Sequence, residues 1–547
     1  MKSSILRTLN AALVAAFCAA TATISPAQIT FKTLFRFDGT NGANPIYVYL
    51  VQGTDGELYG TTEVSAGGGG TVFKITTGGT LTTLHEFCPA GQCTEGALPY
   101  AGLVLATNGN FYGTTSGGGA NGNGTVFEIT PTGTLSTLHS FDLTDGGDPE
   151  VGLIQASNGE FYGTTSGGGS GNVGTIFEIN SGGALTSLLS FNGANGDYPD
   201  ARLVQGTNGN FYGTTLEGNA DSGTIFEITS AGTLTTLHKF EGEGAGPTGA
   251  LIQATNGNFY GTTQAGGTYY QGTVFEITPA GKFTLLYSFC SQPNCADGST
   301  PYGGLIQGSD GNLYGTTSAG GANGSGAVYR ITTAGKLTTL YSFCSQSGCA
   351  DGSSPRGGLL QATNGAFYGT TEYGGTNDAG TIFSLSVGLS PFVKTVPSSG
   401  IVGSSVIILG TNLTGASKVS FDGIAAKFTV VSSTEIKATV PTGAATGNVT
   451  VVTPGGTLTS NAIFAVTPQI TSFTPASGAV GTGVTITGVS LKQTTELAFN
   501  GVLATDFIVQ SDTEVTATVP TNAKTGKITI TTPGGTATSS ASFTVIQ

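Results

Sequence analysis

The chain of 547 residues contains no tryptophan, one methionine and three histidines, and only 9% of its residues are charged. The lack of tryptophan removes the side chain that stacks most readily on a sugar ring. Basic residues are scarce, 18 against 32 acidic ones, so we expect neither a nucleic acid nor an anionic membrane surface as a partner. After the N-terminus no apolar run approaches the roughly 18 residues that a membrane helix needs, which predicts no membrane span.

The N-terminus has the pattern of a secretory signal peptide over residues 1–27. A basic start with Lys2 and Arg7 precedes a mostly apolar stretch, 11–20, and a small-residue cleavage site that ends at Ala27. We therefore expect an exported protein, either secreted or held at the cell surface.

The six cysteines that follow the signal form three pairs of identical spacing. Each pair reads Cys-x4-Cys and directly follows a phenylalanine; the pairs are Cys88/Cys93, Cys290/Cys295 and Cys344/Cys349. In an exported protein this pattern predicts three local disulfides, each worth roughly 2 kcal/mol for so short a loop. Zinc is the rival interpretation, but no histidine or fourth ligand accompanies any pair.

The dominant pattern is a repeated Tyr-Gly-Thr-Thr motif. Its seven copies begin at Tyr59, Tyr112, Tyr162, Tyr212, Tyr260, Tyr314 and Tyr368. A period near 50 residues is typical of propeller repeats. One repeat, 103–141, contains four segments of strand character, 103–107, 110–115, 125–130 and 135–141, with Asn-Gly as the first turn and no helical pattern.

The two ends of the array complement each other. Residues 29–37 match the fourth strand of a repeat, whereas the last repeat stops after its third strand, 381–385. Pairing these two segments would close a ring and leave no unpaired strand edge. The sequence therefore predicts an all-β fold that begins with a seven-bladed β-propeller over residues 28–388, in which the N-terminal strand closes the last blade.

After residue 389 a different repeat begins. Two copies of similar length, 389–467 and 468–547, share Pro-x-Ser-Gly, Phe-x-Gly and Thr-Pro-Gly-Gly motifs, which start at Pro397 and Pro475, Phe421 and Phe499, and Thr453 and Thr532. Their short alternating strands predict two immunoglobulin-like β-sandwiches.

These motifs closely resemble the IPT/TIG family of immunoglobulin-like domains, and the resemblance covers nearly all of both copies. It implies spacers or interaction modules of the kind found in surface receptors, transcription factors and polysaccharide enzymes. The Tyr-Gly-Thr-Thr repeats look like the glycine-rich tandem repeats of secreted bacterial proteins called GloVer-containing. That resemblance implies a bacterial extracellular protein, often with a surface anchor, and no assigned reaction.

Several residues that invite a chemical role recur as part of the frame. His85, His139 and His238 occupy one repeat position that elsewhere holds Phe35, Leu189, Tyr287 and Tyr341. A position that accepts Phe and Leu indicates a need for bulk rather than for a metal ligand or a base. The recurring Glu128, Glu178, Glu227 and Glu276 fit a solvated strand face, and Phe-Tyr pairs such as Phe111 and Tyr112 fit the core between blades.

The loops after the second and fourth strands of each repeat carry the sequence variation. If the strands run in order from hub to rim, these loops share one face, and variable loops on an invariant frame are typical of a binding surface. Acidic residues mark the loops after the fourth strands: Asp38, Asp142, Asp145, Asp148, Asp197, Asp200, Asp297 and Asp351. We predict no cofactor; Ca²⁺ at 142–148 stays open as an alternative to ordinary Asp-Gly turn chemistry.

Glu63 and Glu372 each follow a Tyr-Gly-Thr-Thr copy directly, in blades that ring closure makes neighbours. Two carboxylates near a propeller face are able to cleave a glycan by acid and base catalysis, so they are the candidates for catalysis. The alternative is that both are ordinary solvated acids.

No complete catalytic constellation is present, and we predict a non-catalytic exported binding or adhesion protein that is a monomer. The propeller face is expected to bind an extracellular glycan or protein, with the sandwiches as spacer or interaction modules. Two alternatives stay open: a carbohydrate-active hydrolase or lyase on the propeller, and a structural cell-surface or matrix protein.

Overall fold

The computed structural model describes residues 29–89, 91, 93–218 and 222–546; the predicted signal peptide lies outside these ranges. The described chain is all-β, and its helical segments are two short 3-10 turns, Pro293–Cys295 and Ser347–Cys349. Within these ranges no helix has the length and apolar character required to cross a bilayer.

Seven four-stranded antiparallel sheets form the blades of the propeller, and in the first six the strands pair in chain order. The first three blades consist of Val51–Gln52, Leu58–Thr62, Thr71–Ile75, Leu81–Glu86; Val104–Leu105, Phe111–Thr115, Thr125–Ile129, Leu135–Ser140; and Ile154–Gln155, Phe161–Thr165, Thr175–Ile179, Leu185–Ser190. The next three consist of Val204–Gln205, Phe211–Thr215, Thr224–Ile228, Leu234–Lys239; Ile252–Gln253, Phe259–Thr263, Thr273–Ile277, Phe283–Ser288; and Ile306–Gln307, Leu313–Thr317, Ala327–Ile331, Leu337–Ser342.

The seventh blade is built from both ends of the array. It contains Leu360–Gln361, Phe367–Thr371 and Thr381–Ser386, and its outer strand is the N-terminal Thr30–Arg36, which pairs with Thr381–Ser386. Side chains of this blade and of the first blade share one buried cluster, so the ring closes. The predicted closing strand is confirmed.

The innermost strand of each blade is shorter than the sequence predicts. Residues 103–107 were expected to be extended, but only Val104–Leu105 form a ladder with the neighbouring strand. The chain before this pair lies at the hub, where seven blades converge, and its backbone accepts bonds from the neighbouring blade instead of pairing within its own sheet.

The Tyr-Gly-Thr-Thr motif owes its repetition to packing. The tyrosine ring stacks on the phenylalanine of the next blade, as in Tyr59 on Phe111 with 4.0 Å between ring centroids. The glycine leaves room for the third-strand phenylalanine, since a Cβ at Gly113 would lie 2.6 Å from Phe127 Cζ. These contacts confirm that the Phe-Tyr pairs form the core between blades.

The first threonine of every motif fastens its blade to the next. Its hydroxyl donates to a backbone carbonyl of that blade at 2.7–3.2 Å; the pairs are Thr61–Ala101, Thr114–Val151, Thr164–Pro199, Thr214–Pro247, Thr262–Gly303, Thr316–Gly357 and Thr370–Pro45. The second threonine bonds to a threonine of the third strand, as Thr62 does to Thr71 at 2.8 Å. The last pair, Thr370–Pro45, repeats the same bond across the closure.

All three predicted disulfides are present. Cys88–Cys93, Cys290–Cys295 and Cys344–Cys349 each close a loop that follows the fourth strand of its blade.

Two β-sandwiches follow the propeller. The first packs a sheet of Lys394–Val396, Ser405–Leu409, Glu435–Thr439 and Phe428–Val430 on one of Ile424–Ala425, Lys418–Phe421, Val449–Thr453 and Gly456–Thr459, with Ser399–Gly400 and Ala465–Val466 paired at the side. The second packs Gln469–Thr474, Gly483–Val489, Glu514–Thr518 and Phe507–Val509 on Ser477–Gly478, Gly535–Val545, Gly526–Thr532, Glu496–Phe499 and Val502–Leu503.

The first sandwich docks on the face of the propeller that carries the short turns, which we call the turn face. At six blade junctions on this face a turn N–H donates to a glutamine of the next blade at 2.9–3.0 Å: Thr107–Gln155, Ser157–Gln205, Thr207–Gln253, Thr255–Gln307, Ser309–Gln361 and Thr363–Gln52. At the seventh junction Leu105 replaces the glutamine and shares a buried cluster with Ile407 and Leu409 of the sandwich. There Thr434 Oγ1 donates to the Thr54 carbonyl at 2.7 Å. An apolar substitution at one junction thus creates the docking site.

Candidate functional site

The loops after the second and fourth strands lie together on one face, as the sequence predicted. At every blade junction a residue of the loop after a fourth strand bridges a residue of the loop after the second strand of the next blade; the pairs are Ala43–Val64, Ala97–Gly117, Gly147–Gly167, Asp197–Glu217, Ala245–Ala265, Ser299–Ala319 and Ser353–Tyr373. We call this the loop face. It lies opposite the turn face that the sandwich covers.

Most of the acidic loop residues singled out from the sequence shape their own loops. Asp38 and Asp142 each accept bonds from the amide and hydroxyl of a threonine two residues on, and these bonds hold the pKa of both carboxyls below the usual range. Asp148 is exposed at its tip, and partial desolvation of its carboxyl raises its pKa. Asp197 has one buried carboxylate oxygen without a hydrogen-bond partner.

The other acids pair with the position that holds histidine or tyrosine. The imidazole contacts an acid at 2.9 Å in His85–Glu95, at 2.6 Å in His139–Asp145 and at 2.7 Å in His238–Glu243. Tyr287 and Tyr341 donate in the same way to Asp297 and Asp351, whose side chains are fully buried. The prediction that this position needs only bulk is therefore incomplete, because its polar edge anchors the loop in five blades.

A signal for these pairs was present in the sequence. Where the repeat carries Phe35 or Leu189 in place of histidine or tyrosine, the matching loop residue is Asn41 or Asn195 rather than an acid. The recurring glutamates also have local partners, since Glu128 accepts bonds from Tyr112 at 2.7 Å and from Asn110 at 2.8 Å. Glu128 stays partly exposed on this face, and the side-chain amide of Asn110 in the hairpin turn covers part of its carboxylate.

The variable chemistry of the propeller converges on the hub. In six blades a recurring proline precedes the first strand, and the residue directly after that proline faces the central axis. Together with the equivalent residue of the first blade, these residues form what we call the hub ring: Tyr47, Tyr100, Glu150, Asp200, Thr248, Tyr302 and Arg356. All of these except Tyr100 line a cavity of about 70 Å³ at the loop-face end of the hub. Of this ring, Asp200 alone is among the site residues predicted from the sequence, although a varied position beside a recurring proline is a visible signal.

Two long side chains, Tyr49 and Arg202, form the floor of the cavity. The equivalent positions of the other five blades hold glycine or alanine. Tyr49 extends across the hub past Gly358, where a Cβ would overlap its ring, and its hydroxyl accepts a bond from the Gly304 N–H at 2.7 Å. The Arg202 guanidinium lies over the Tyr49 ring, 5.3 Å from its centroid, which is a cation–π contact. Arg202 Nε is buried and has no hydrogen-bond partner.

The two candidate catalytic glutamates meet at the edge of this cavity, where the seventh blade adjoins the first. Glu372 is buried and its Oε2 lies 2.8 Å from Arg356 Nε, an ion pair whose angle does not make a hydrogen bond. Burial raises the pKa of Glu63 and the nearby Glu372 charge adds to that shift, whereas a bond from Tyr100 opposes it. Ring closure thus brings both carboxyls together as predicted, and a catalytic role for them stays a prediction.

Aromatic faces complete the cavity. The Tyr47 and Tyr302 rings lie 6.3 Å apart between centroids, and the Arg356 guanidinium lies 4.9 Å from the centroid of Tyr302. In place of the missing tryptophan, tyrosines provide flat surfaces, with charged groups of both signs beside them.

Asp200 is the most perturbed carboxyl of the hub. Burial raises its pKa to about 7, and the negative charges of Glu150 and Glu217 contribute in the same direction. One of its carboxylate oxygens is buried without a hydrogen-bond partner. Asp200 therefore changes charge close to neutral pH, where an unperturbed aspartate, with a pKa of about 3.9, is fully ionised.

The raised pKa of Asp200 predicts a loss of stability with rising pH. Between about pH 4 and pH 7 the folded state binds more protons at this group than the unfolded state, so the unfolding free energy falls as the pH rises through this window. Asp200→Asn keeps the shape of the side chain without its charge. In urea unfolding, the free energy of unfolding of this variant should fall less between pH 5 and pH 8 than that of the original chain, by a difference on the order of 2 kcal/mol. Asp142→Asn, an exposed acid on the same face, should leave the slope unchanged. Equal slopes for Asp200→Asn and the original chain would contradict the assignment.

Among the described residues no three His, Cys, Asp or Glu side chains lie close enough together to hold a metal ion. Ca²⁺ binding by 142–148 stays an untested prediction, and the Asp142 carboxylate is already engaged by Thr144.

Among solved structures, the chain is similar to a fungal alcohol oxidase of the AA5 family in complex with copper. The sequence identity is 12%, the match covers 96% of this chain and 100% of that chain, and the TM-score is 0.43. An auxiliary nutrient binding protein from Bacteroides ovatus matches at 14% identity, with 52% and 68% coverage and a TM-score of 0.36. A surface glycan-binding protein from Prevotella bryantii matches at 17% identity, with 28% and 39% coverage and a TM-score of 0.22, so the chain spans well under half of that protein. At these TM-scores none of the likenesses carries an argument about function.

A search of curated proteins finds no match to this chain. The Gloeobacter/Verrucomicrobia repeat matches it three times, at residues 21–156, 145–296 and 291–407. The IPT/TIG domain matches the two sandwiches at 391–465 and 468–545. The repeat covers well over half of the chain, in agreement with the blades and with the resemblance noted in the sequence. The chain therefore belongs to the Gloeobacter/Verrucomicrobia repeat family and carries two C-terminal IPT/TIG domains.

Proposed function

We propose that this protein is an exported, non-catalytic binding protein that holds an extracellular glycan on the loop face, at the mouth of the hub cavity of its propeller. The observation that carries this proposal is the hub ring. Many positions of the blade repeat because they pack, whereas the hub ring varies through tyrosine, acid, threonine and arginine at one structurally equivalent place. Variation on an invariant frame is how binding sites are built.

The chemistry of the cavity suits a sugar. Tyr47 and Tyr302 provide flat faces against which the apolar side of a sugar ring packs, while Arg356, Glu150 and Asp200 offer donors and acceptors for hydroxyl groups. Exposed tyrosines continue this surface outward on the loop face, at Tyr198, Tyr269, Tyr270 and Tyr373. Tyr270 is the most accessible, with 79% of its surface exposed. A longer chain could extend from the hub across these rings.

The sandwiches fit the role of spacers. The first covers the turn face and leaves the loop face free, and the second continues from it through bonds between Gln493 and Thr446. In this arrangement the binding face points away from the C-terminal domains, and we expect the protein to act as a monomer at the cell surface.

The test is a screen of oligosaccharides with the whole chain, followed by affinity measurement on a hit. Arg356→Gln should lower the affinity at least tenfold, since a charge-assisted bond is worth about 1.5–3 kcal/mol. Arg330→Gln is the matched control, because Arg330 lies on a third strand opposite Tyr314 and outside the cavity. Both variants are first checked for an unchanged thermal transition.

Three outcomes would contradict the proposal. A screen without any glycan hit would remove its ligand. Turnover of a polysaccharide that Asp200→Asn or Glu63→Gln abolishes would replace binding with catalysis. Self-association into large particles by light scattering, with no soluble ligand, would favour the structural matrix alternative.

A further inference from the structure

Two acids of the hub ring lie side by side on one wall of the hub cavity. Glu150 of the third blade and Asp200 of the fourth are neighbours in the ring, and both line the cavity. Ion pairs among the described residues include neither of them. One carboxylate oxygen of Asp200 is buried without a hydrogen-bond partner. This wall therefore carries negative charge that no ion pair of the described chain balances.

The two cations of the cavity are engaged elsewhere. In a ring of seven, Arg356 of the seventh blade stands opposite the third and fourth blades, and its guanidinium lies 2.8 Å from the Glu372 carboxylate. The Arg202 guanidinium lies over the Tyr49 ring at the floor. A cationic group of a ligand therefore finds the acidic wall free to receive it.

The whole loop face favours a cation. The loops after the second and fourth strands contain more than a dozen acidic residues and no lysine, and their two arginines are the Arg202 and Arg356 of the cavity. A surface with charge of one sign attracts ligands of the opposite sign and raises their local concentration. The field of this face therefore directs a positively charged ligand toward the hub.

The size of the cavity limits what enters it. Its volume of about 70 Å³ holds roughly two groups of the size of a water molecule, at about 30 Å³ each. A sugar ring is too large for this space, whereas a single ammonium group fits. The ring that carries the ammonium then lies at the mouth, where Tyr47 and Tyr302 offer their faces.

We propose that the hub cavity binds a protonated primary amine, carried by an amino sugar of the bound glycan, between Glu150 and Asp200. This inference rests on the proposed function, because it names the group by which the glycan is recognised. The ammonium donates hydrogen bonds to both carboxylates, and bonds between charged partners are about twice as strong as neutral ones. Burial raises the pKa of both acids, so a cation between them also relieves the cost of their charges.

The test is isothermal titration calorimetry of the whole chain with three tetrasaccharides of one linkage and length. They are β-1,4-linked glucosamine, its N-acetylated form and the corresponding glucose oligomer, at about pH 6.5, where the free amine is mostly protonated. The glucosamine tetramer should bind at least tenfold more tightly than the other two. Its affinity should fall as sodium chloride is added, while the affinity of the neutral tetramers should change little.

Glu150→Gln should remove most of the preference for the amine and weaken its salt dependence. Glu241→Gln is the matched control, because Glu241 is an exposed acid of the loop face outside the cavity, and this variant should keep the full preference. Both variants are first checked for an unchanged thermal transition. If Glu150→Gln does not fold, the salt dependence of the unmodified protein still decides, since a bound amine without salt dependence would contradict an acidic site.

The outcomes separate this inference from the proposed function. Equal binding of the three tetramers would overturn the amine site and leave glycan binding intact, as would a Glu150→Gln chain that keeps the full preference. Absence of binding by any glycan would remove both. A lysine tetrapeptide that binds as tightly as the glucosamine tetramer would overturn the amino sugar, because the site would then recognise an amine without its sugar.

Discussion

Removal of residues 29–36 is expected to abolish cooperative folding of the propeller. The strand Thr30–Arg36 supplies the fourth strand of the last blade, and Phe31 stacks on Tyr341 of the sixth blade at 3.6 Å between ring centroids. Without it, the strand Thr381–Ser386 becomes an open edge whose Ile382, Phe383 and Leu385 lose cover. Partial burial of Phe31 and Phe35 alone is worth up to about 3 kcal/mol, a large share of the 5–15 kcal/mol by which domains are stable.

The truncated chain should therefore show no sharp thermal transition by circular dichroism and should aggregate through its new edge in light scattering. A synthetic peptide of residues 29–37, added during refolding, should restore the transition, because the strand is joined to the blade by pairing and packing alone. A scrambled peptide of the same composition is the control. A truncated chain that melts cooperatively within a few degrees of the full chain would show that six blades and three strands suffice.

Gly60→Val is expected to destabilise the propeller by about 3 kcal/mol, the upper end of the usual cost of overpacking a core. A Cβ at Gly60 would lie 2.8 Å from both Leu50 Cδ2 and Phe73 Cζ, and both of these side chains are buried. Neither has space to retreat, since Phe73 already packs against Phe37. The same substitution should behave alike in the other Tyr-Gly-Thr-Thr copies whose glycine faces a third-strand phenylalanine, which are all except that of the sixth blade.

Gly78 of the same blade offers a matched control. An added Cβ there would meet nothing nearer than Thr76 Oγ1 at 3.6 Å, so Gly78→Ala should be neutral or stabilising by up to about 1 kcal/mol. Urea unfolding monitored by circular dichroism measures both variants. A Gly60→Val chain as stable as Gly78→Ala would contradict the packing role assigned to the motif.

Much of the fold was predictable because its rules are local to one repeat. The turn Asn108-Gly109, the alternating third strand and the Cys-x4-Cys loops each depend on residues close in sequence. The turn and the third strand therefore recur in all seven repeats and the cysteine loop in three. The length of the innermost strand was overestimated, since residues 103–107 have strand composition throughout. Only the convergence of seven blades at the axis shows that most of them cannot pair within their own sheet.

The candidate site was less predictable. Asp200 was singled out as one loop acid among eight, and nothing near it in sequence indicates that Tyr49 crosses the hub or that Arg202 stacks on it. Asp297 and Asp351 looked equally available, yet both are buried in bonds to tyrosines of their own blades. Whether an acid faces a ligand or a neighbouring strand depends on a rotation of the loop that its composition does not reveal.

A ring of seven similar blades, its closure by the N-terminal strand, the three disulfides and the common face of the variable loops all follow from periodicity and short-range pairing. They could therefore be predicted from the amino-acid sequence. The tertiary structure alone decided what meets at the hub. Closure brings residues as distant as Tyr49 and Gly304 into hydrogen-bonding contact, and docking brings Ile407 and Leu409 of the first sandwich against Leu105 of the second blade. These contacts span hundreds of residues, and their energy depends on the geometry of the whole ring rather than on any one repeat.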